Sequence, residues 1–177
     1  MYLYLIRHGI AIDPDPLTLD SIADDESRPL TKIGRKKIAQ VADCLKQIHS
    51  HKGARLGLTF DLIITSPLIR AKQTADIFID KQVSPKLEIA QDLKPMGNLP
   101  AWLMNWNARS DRNSISTLAI VGHEPNLSEW TELLLFGKVS HQLILKKGGM
   151  IGLKFPGNQI EIGTAQLYCL IPPKYLS

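Results

Sequence analysis

The sequence predicts an α/β fold, and three observations carry that reading. Residues 2–6, 61–65 and 117–121 are short apolar runs rich in branched and aromatic side chains, the composition of strands buried on both faces. Each is followed by a helical pattern or by a loop that leads to one, and strand–helix alternation implies parallel strands. The C-terminal part changes character: residues 150–155 form another apolar strand, Pro156-Gly157-Asn158 reads as a hairpin turn, and residues 160–162 and 165–171 continue as an antiparallel edge. The expected architecture is a three-layer α/β/α domain with a mostly parallel central sheet and an antiparallel edge.

The elements follow in order. Residues 2–6 end abruptly in Arg7-His8-Gly9. A sheet interior cannot hold an unpaired guanidinium, so Arg7 and His8 belong where the strand leaves the sheet, the end at which open α/β sheets bind ligands. Residues 10–29 are rich in Asp and Pro and read as an exposed acidic loop. Arg28 closes that loop; it can pair with the local acids or fold back over an anion held by Arg7. Thr31 reads as an N-cap, and Ile38, Val41, Ala42, Leu45 and Ile48 give the next helix its apolar face. Gly34 in its first turn costs helix stability, which points to a close backbone approach. His49 and His51 lack further ligand types nearby and read as a solvated turn.

Residues 61–65 run into Ser66-Pro67, a pattern in which Ser66 caps a helix and Pro67 opens it. Arg70 then lies near the positive end of that helix, an unfavourable place for a cation unless an anion lodges there too. Ala71, Ala75 and Phe78 form the buried stripe. Residues 87–90 read as a short third strand. Asn98 caps a helix with Pro100 in its first turn, and Trp102 and Trp106 on its apolar face read as core. Residues 117–121 exit into Gly122-His123-Glu124-Pro125, so a second imidazole leaves a buried strand just ahead of a helix that ends at Gly137.

Composition bounds the function without naming it. A chain of 177 residues is long enough for one cored domain, and no linker divides it, so residues 1–177 are read as a single domain. No apolar stretch is long enough to span a bilayer, and residues 1–6 are too short for a signal-peptide core, which leads to the expectation of a cytoplasmic protein that does not engage a membrane. Cys44 and Cys169 form neither a disulfide framework nor a zinc spacing and read as buried free thiols. The net charge of +4 and a pI near 9.1 suit an anionic ligand. Nucleic acid is disfavoured, because the basic residues are dispersed and only 6% of the chain is aromatic.

If the three buried strands are parallel, their exits bring Arg7, His8, Arg70 and His123 to one crevice. Two guanidinium groups and two imidazoles without a metal-binding cluster suit a dianionic phosphoryl group. With these residues in order, the sequence resembles the histidine phosphatase superfamily, which includes phosphoglycerate mutases and acid phosphatases. Arg28-Pro29-Leu30-Thr31 with Gly34, the run from Ser66 to Thr74, Gly122-His123-Glu124-Pro125 and the closing stretch of residues 165–175 resemble its short bacterial branch, the SixA-type phosphohistidine phosphatases.

The resemblance implies a phosphoglycerate mutase-like fold and assigns roles. His8 would be the nucleophile and form a phosphohistidine intermediate. Arg7, Arg70 and His123 would bind the phosphoryl oxygens, with Arg28 and Gly9 as helpers, and neither cofactor nor metal is called for. His8 must be neutral to attack, and a backbone carbonyl such as that of Gly9 could fix its tautomer. Larger members carry a glutamate after the third strand as leaving-group acid; here the best-matching position is Pro95. Asp92 and Glu124 are nearby candidates, neither a clean match. An imidazole leaves as a weak base with a pKa of ~6.5, whereas an alkoxide needs a proton. The gap therefore favours phosphohistidine over alkyl phosphates, and the implied partner is a phosphohistidine-containing protein, such as a histidine-containing phosphotransfer domain. The competing readings are a general phosphomonoesterase using Asp92 or Glu124, and a non-catalytic phosphate-binding module; a mutase lacks both the acid and the enclosing segments.

Overall fold

The computed structural model describes residues 1–13, 22–47 and 57–175. Six strands, β1 (Tyr2–Arg7), β2 (Leu62–Thr65), β3 (Leu87–Ile89), β4 (Thr117–Gly122), β5 (Met150–Lys154) and β6 (Gln166–Ile171), form one sheet in the order β3-β2-β4-β1-β5-β6. The first four of that order are mutually parallel; β5 runs antiparallel to both β1 and β6. The helices are α1 (Ile22–Ser27), α2 (Lys32–Lys46), α3 (Ile69–Asp80), α4 (Leu99–Asn107) and α5 (Asn126–Phe136).

The period-2 alternation of the strands explains the three layers. Leu3 and Leu5 of β1, Leu62 and Ile64 of β2, and Leu118 and Ile120 of β4 face one side, where they pack on α4 and α5. Tyr4, Ile6, Ile63, Ala119 and Val121 face the other, under Ile38, Val41 and Leu45 of α2 and Ala71, Ala75 and Phe78 of α3. Trp102 and Trp106 belong to the first of these cores, with their indoles stacked at 6.0 Å.

Several local expectations change. The 10–29 loop contains a helix, α1, and Ala11 pairs with Leu30. Residues 14–21, Ile48, His49 and His51 lie outside the described residues. Ser66 and Pro67 precede α3 rather than opening it; the helix starts at Ile69 behind Leu68. Residues 160–162 are not a strand, and no tight hairpin joins β5 to β6. Ile160 is fully buried and its carbonyl accepts from Asn107 Nδ2 at 3.1 Å, while Gly163 and Ala165 bond to Leu133 and Leu134 at the end of α5. Burying one isoleucine against α4 thus draws the connection out of the sheet. Cys44 and Cys169 are free but only partly buried. Among the described residues, no helix is long and apolar enough to cross a membrane.

Candidate active site

The strand register builds the site. Arg7 is the partner of Gly122, and Thr65 of Val121. The next residues stay level: His8 N–H donates to Gly122 O at 3.1 Å, and Ser66 N–H donates to Val121 O at 2.9 Å. Three chain segments therefore leave the sheet side by side, carrying Arg7-His8, Ser66 and His123.

A turn from the far side of β1 closes this end. Gly148, with φ of 79°, donates its N–H to the carbonyls of both Arg7 and His8 at 3.0 and 3.1 Å. Arg7 Nη1 reaches the same turn and donates to Leu145 O at 2.8 Å. Further back, the buried Glu132 carboxylate accepts the backbone N–H groups of Ser140, His141, Gln142 and Leu143, tying the preceding loop to α5.

Past His8, Gly9 packs so tightly that an added Cβ would lie 2.7 Å from Ile38 Cγ1. Its N–H donates to Thr74 Oγ1 at 3.0 Å, and that hydroxyl donates to Arg70 O at 2.8 Å, so β1 and α3 are joined beside the site. The Arg28-to-Gly34 block then has a structural reason. Ile10 O accepts from Thr31 N at 2.9 Å, Thr31 Oγ1 caps α2 on Gly34 N at 2.9 Å, and a Cβ on Gly34 would stand 2.1 Å from Ile10 O. Gly34 is there because the chain leaving the site crosses that turn of α2.

His8 and His123 face each other with ring centroids 5.1 Å apart and are both buried. His8 Nδ1 contacts Gly9 O at 2.7 Å; a carbonyl only accepts, so Nδ1 carries the proton and Nε2 keeps its lone pair. Ser66 Oγ accepts from Leu68 N at 3.3 Å and lies 2.9 Å from His123 Nε2; in the tautomer in which that hydroxyl donates to Nε2, Nδ1 is the N–H donor. Burial, and then the guanidinium groups of Arg70 and Arg7 with Lys147, push the His8 pKa down to about 3 against the bond to Gly9. Burial, His8 and the same two arginines push His123 to about 3. Both rings are neutral near pH 7.

Arg7, His8, Arg70 and His123 are thus brought together. Arg28 is not a free cation in the pocket. Its Nε and Nη2 donate to Asp25 Oδ1 at 2.9 and 2.6 Å, and its Nη1 donates to Ile12 O at 2.9 Å. Asp25 in turn holds Arg70, whose Nη1 donates to the Asp25 carbonyl at 2.6 Å and Nη2 to Oδ2 at 2.9 Å. Burial raises the Asp25 carboxyl, but the bonds from Arg28 and Arg70 outweigh it and hold its pKa below the usual value. Sequence reasoning missed Asp25, one acid among several in the loop, and read Ser66 only as a cap.

Of the acid candidates, Asp92 accepts from Asn105 Nδ2 at 3.3 Å on the α4 side. Glu124 accepts from Ser128 Oγ at 2.9 Å, and its burial raises its pKa against the pull of that bond and of Arg7. Pro95 is exposed.

Among the described residues, five buried side-chain nitrogens lack a hydrogen-bond partner, and three of them, Arg7 Nε, Arg70 Nε and His123 Nδ1, belong to this crevice. Burying unpaired donors is costly. Three of them on two cations and a neutral ring are a donor set whose chemistry suits an oxyanion. Among the described residues no group of three or more His, Cys, Asp or Glu could hold a metal ion.

Comparison with known proteins agrees with this geometry. An uncharacterized protein of Picosynechococcus sp. is 41% identical over 180 residues, covering 99% of both chains. The structure of the protein histidine phosphatase SixA complexed with tungstate superposes with a TM-score of 0.76 at 20% identity, over 100% of both chains. An α-ribazole phosphatase of Shigella flexneri superposes with a TM-score of 0.64 at 19% identity, covering 98% of this chain and 97% of that one. The family model of the histidine phosphatase superfamily, branch 1, matches residues 3–99, and the chain belongs to that superfamily.

Proposed function

We propose that this protein hydrolyses protein phosphohistidine through a covalent intermediate on His8. The observation that carries the reading is the pair of buried, neutral imidazoles, one with a free Nε2 lone pair, beside two arginines with unpartnered Nε–H groups. In the first step His8 Nε2 attacks phosphorus, and the bond from phosphorus to the substrate's imidazole nitrogen breaks. The departing ring keeps the electron pair and is protonated by solvent. Arg7, Arg70 and His123 Nδ1–H stabilise the charge on the equatorial oxygens. In the second step water attacks the phosphorylated His8, the P–N bond breaks, its electron pair returns to Nε2, and the water's proton leaves with phosphate or solvent.

A low His8 pKa serves both steps, because a weakly basic nitrogen is present as the free base and is a good leaving group. Among the described residues no carboxylate hydrogen-bonds either imidazole, which suits a leaving group that departs without full protonation. SixA and an α-ribazole phosphatase share this fold alike, so the substrate class rests on the site and not on the fold. The partner would be a protein that carries phosphohistidine, such as a histidine-containing phosphotransfer domain.

A second reading, general phosphomonoesterase activity, is favoured by one feature: Glu124 follows His123 directly, and burial keeps its carboxyl proton to higher pH. One set of assays decides. Rapid quench with labelled phosphoramidate should trap phosphate on His8, and His8→Ala should abolish the label and slow turnover at least about 1,000-fold. Phosphoramidate should be cleaved much faster than an alkyl phosphate, with Glu124→Gln leaving that preference unchanged. Equal rates on the two substrates, with the alkyl rate lost in Glu124→Gln, would establish the phosphomonoesterase. Full phosphate affinity without any label on His8 would establish a binding module.

A further inference from the structure

Arg70 is the most deeply placed cation of the site, with a side chain only 4% exposed, yet both of its Nη atoms are already engaged by one residue. That residue comes from α1, a six-residue helix outside the sheet. The two bonds differ in kind. Nη1 is held by the Asp25 backbone carbonyl, which is fixed wherever α1 sits. Nη2 is held by the Oδ2 of a carboxylate that is 36% exposed and can rotate. Nε, next to Nη2 on the same edge of the guanidinium, has no partner at all. The Nε/Nη2 edge is one of the two that an arginine offers side by side to a tetrahedral oxyanion. Half of it is free and half is covered by a carboxylate.

The other carboxylate oxygen, Oδ1, takes two bonds from Arg28, whose third nitrogen is anchored on Ile12 O. Arg28 therefore has a fixed seat and its own claim on Asp25. When an arriving anion takes Nη2, the carboxylate need not become unpaired, because Arg28 retains it.

We propose that Asp25 is a specificity-determining residue of the phosphoryl site: its carboxylate occupies Nη2 of Arg70 as a resident counter-anion, and a phosphoryl dianion displaces it onto Arg28. This rests on reading Arg70 as a phosphoryl ligand. A monoanion competes for Nη2 on equal terms with a carboxylate already tethered there, whereas a dianion gains from Arg7, Arg70 and His123 together. The exchange thus selects for charge. Arg28 contributes by holding the displaced carboxylate, with no need to touch the substrate.

The test is a double-mutant cycle read by calorimetric titration of the full-length protein with inorganic phosphate. Asp25→Asn keeps an acceptor for Arg70 but removes the competing charge, and should tighten phosphate binding at least about five-fold. Asp25→Ser, which removes charge and reach, should do the same. Arg28→Ala leaves the carboxylate to Arg70 alone and should weaken binding in the wild-type background while having almost no effect on top of Asp25→Asn. Unchanged or weaker binding in both Asp25 variants would overturn the proposal, since Asp25 would then merely orient Arg70. An equal loss from Arg28→Ala in both backgrounds would overturn it too, because Arg28 would then contact phosphate directly. Since the readout is binding, a failure to trap phosphate on His8 would count against the catalytic reading and leave this one standing.

Discussion

The two sides of the crevice are held by different forces. On one side Arg7, His8, Ser66 and His123 leave adjacent strands in register, and their backbones are bonded to one another and to the Gly148 turn. Strands with both faces buried cannot slip by one residue without turning their apolar side chains the wrong way. On the other side α1 reaches its neighbours through ion pairs, Asp25 to Arg70 and Arg28, and Glu26 to Lys94 at 2.7 Å. His8, the proposed nucleophile, is fixed by the core, whereas the residue covering Arg70 is fixed by charge. A rigid half suits chemistry that needs aligned nitrogen and phosphorus. A half held by charge can respond to the charge of what enters.

The largest test of this contrast compares the two arginines that share Asp25. Arg70→Ala removes a buried cation from the crevice and, if Arg70 is the phosphoryl ligand proposed, should lower kcat/KM for phosphoramidate about 100- to 1,000-fold. Arg28→Ala should cost less than about ten-fold, mainly in KM, because Arg28 acts through the carboxylate. Equal losses in kcat would erase the distinction between the two sides and make Arg28 part of the machinery.

What the sequence made legible divides along the same line. Arg7, His8, Arg70 and His123 stand out because a charged or ring nitrogen directly after a buried strand, or in the first turn of the following helix, has few places to go. The mostly parallel sheet follows from strand–helix alternation, and Gly34 stands out because glycine is poor in a helix. Asp25 is different. Residues 10–29 hold six acidic side chains, and no local pattern says which of them meets Arg70, 45 residues further on. Ser66 is opaque for the same reason: Ser-Pro ahead of a helical pattern has the form of a cap, but besides accepting from Leu68 N its hydroxyl meets His123, 57 residues away. Ile160 left the expected edge strand for a core contact with the α4 side that no neighbouring residue announces. Local rules place what the backbone dictates; non-local side-chain pairing needs the fold.

The rigid side should also show itself in acid. Unfolded, His8 and His123 titrate near 6.5; folded, both sit near 3. Above about pH 6.5 both states are neutral and stability is unaffected. As pH falls from about 6.5 toward about 3, the unfolded chain binds protons that the native rings refuse, so stability is lost progressively across that span. Glu124, raised by burial, acts in the opposite sense near its own pKa and trims the loss. Urea unfolding at pH 7, 5.5 and 4.5 should show a falling midpoint. A flat profile would mean that the rings are solvated and that the strand-borne side is as open as the other.

The smallest effect belongs to the tether at the far end of α1. Glu26 and Lys94 are about as exposed as each other, at 40% and 36%, and their ion pair is screened by water and salt. Glu26→Gln should therefore change unfolding free energy by less than about 1 kcal/mol. If Asp25 alone sets the charge selection, Glu26→Gln should also leave phosphate affinity almost unchanged, although it removes the same unit of charge one residue away. A tightening as large as that of Asp25→Asn would mean that the field of the whole acidic segment, rather than one carboxylate on Nη2, governs entry. The comparison of neighbouring carboxylates separates a displaced ligand from a diffuse repulsion, because only the former depends on which nitrogen the oxygen touches.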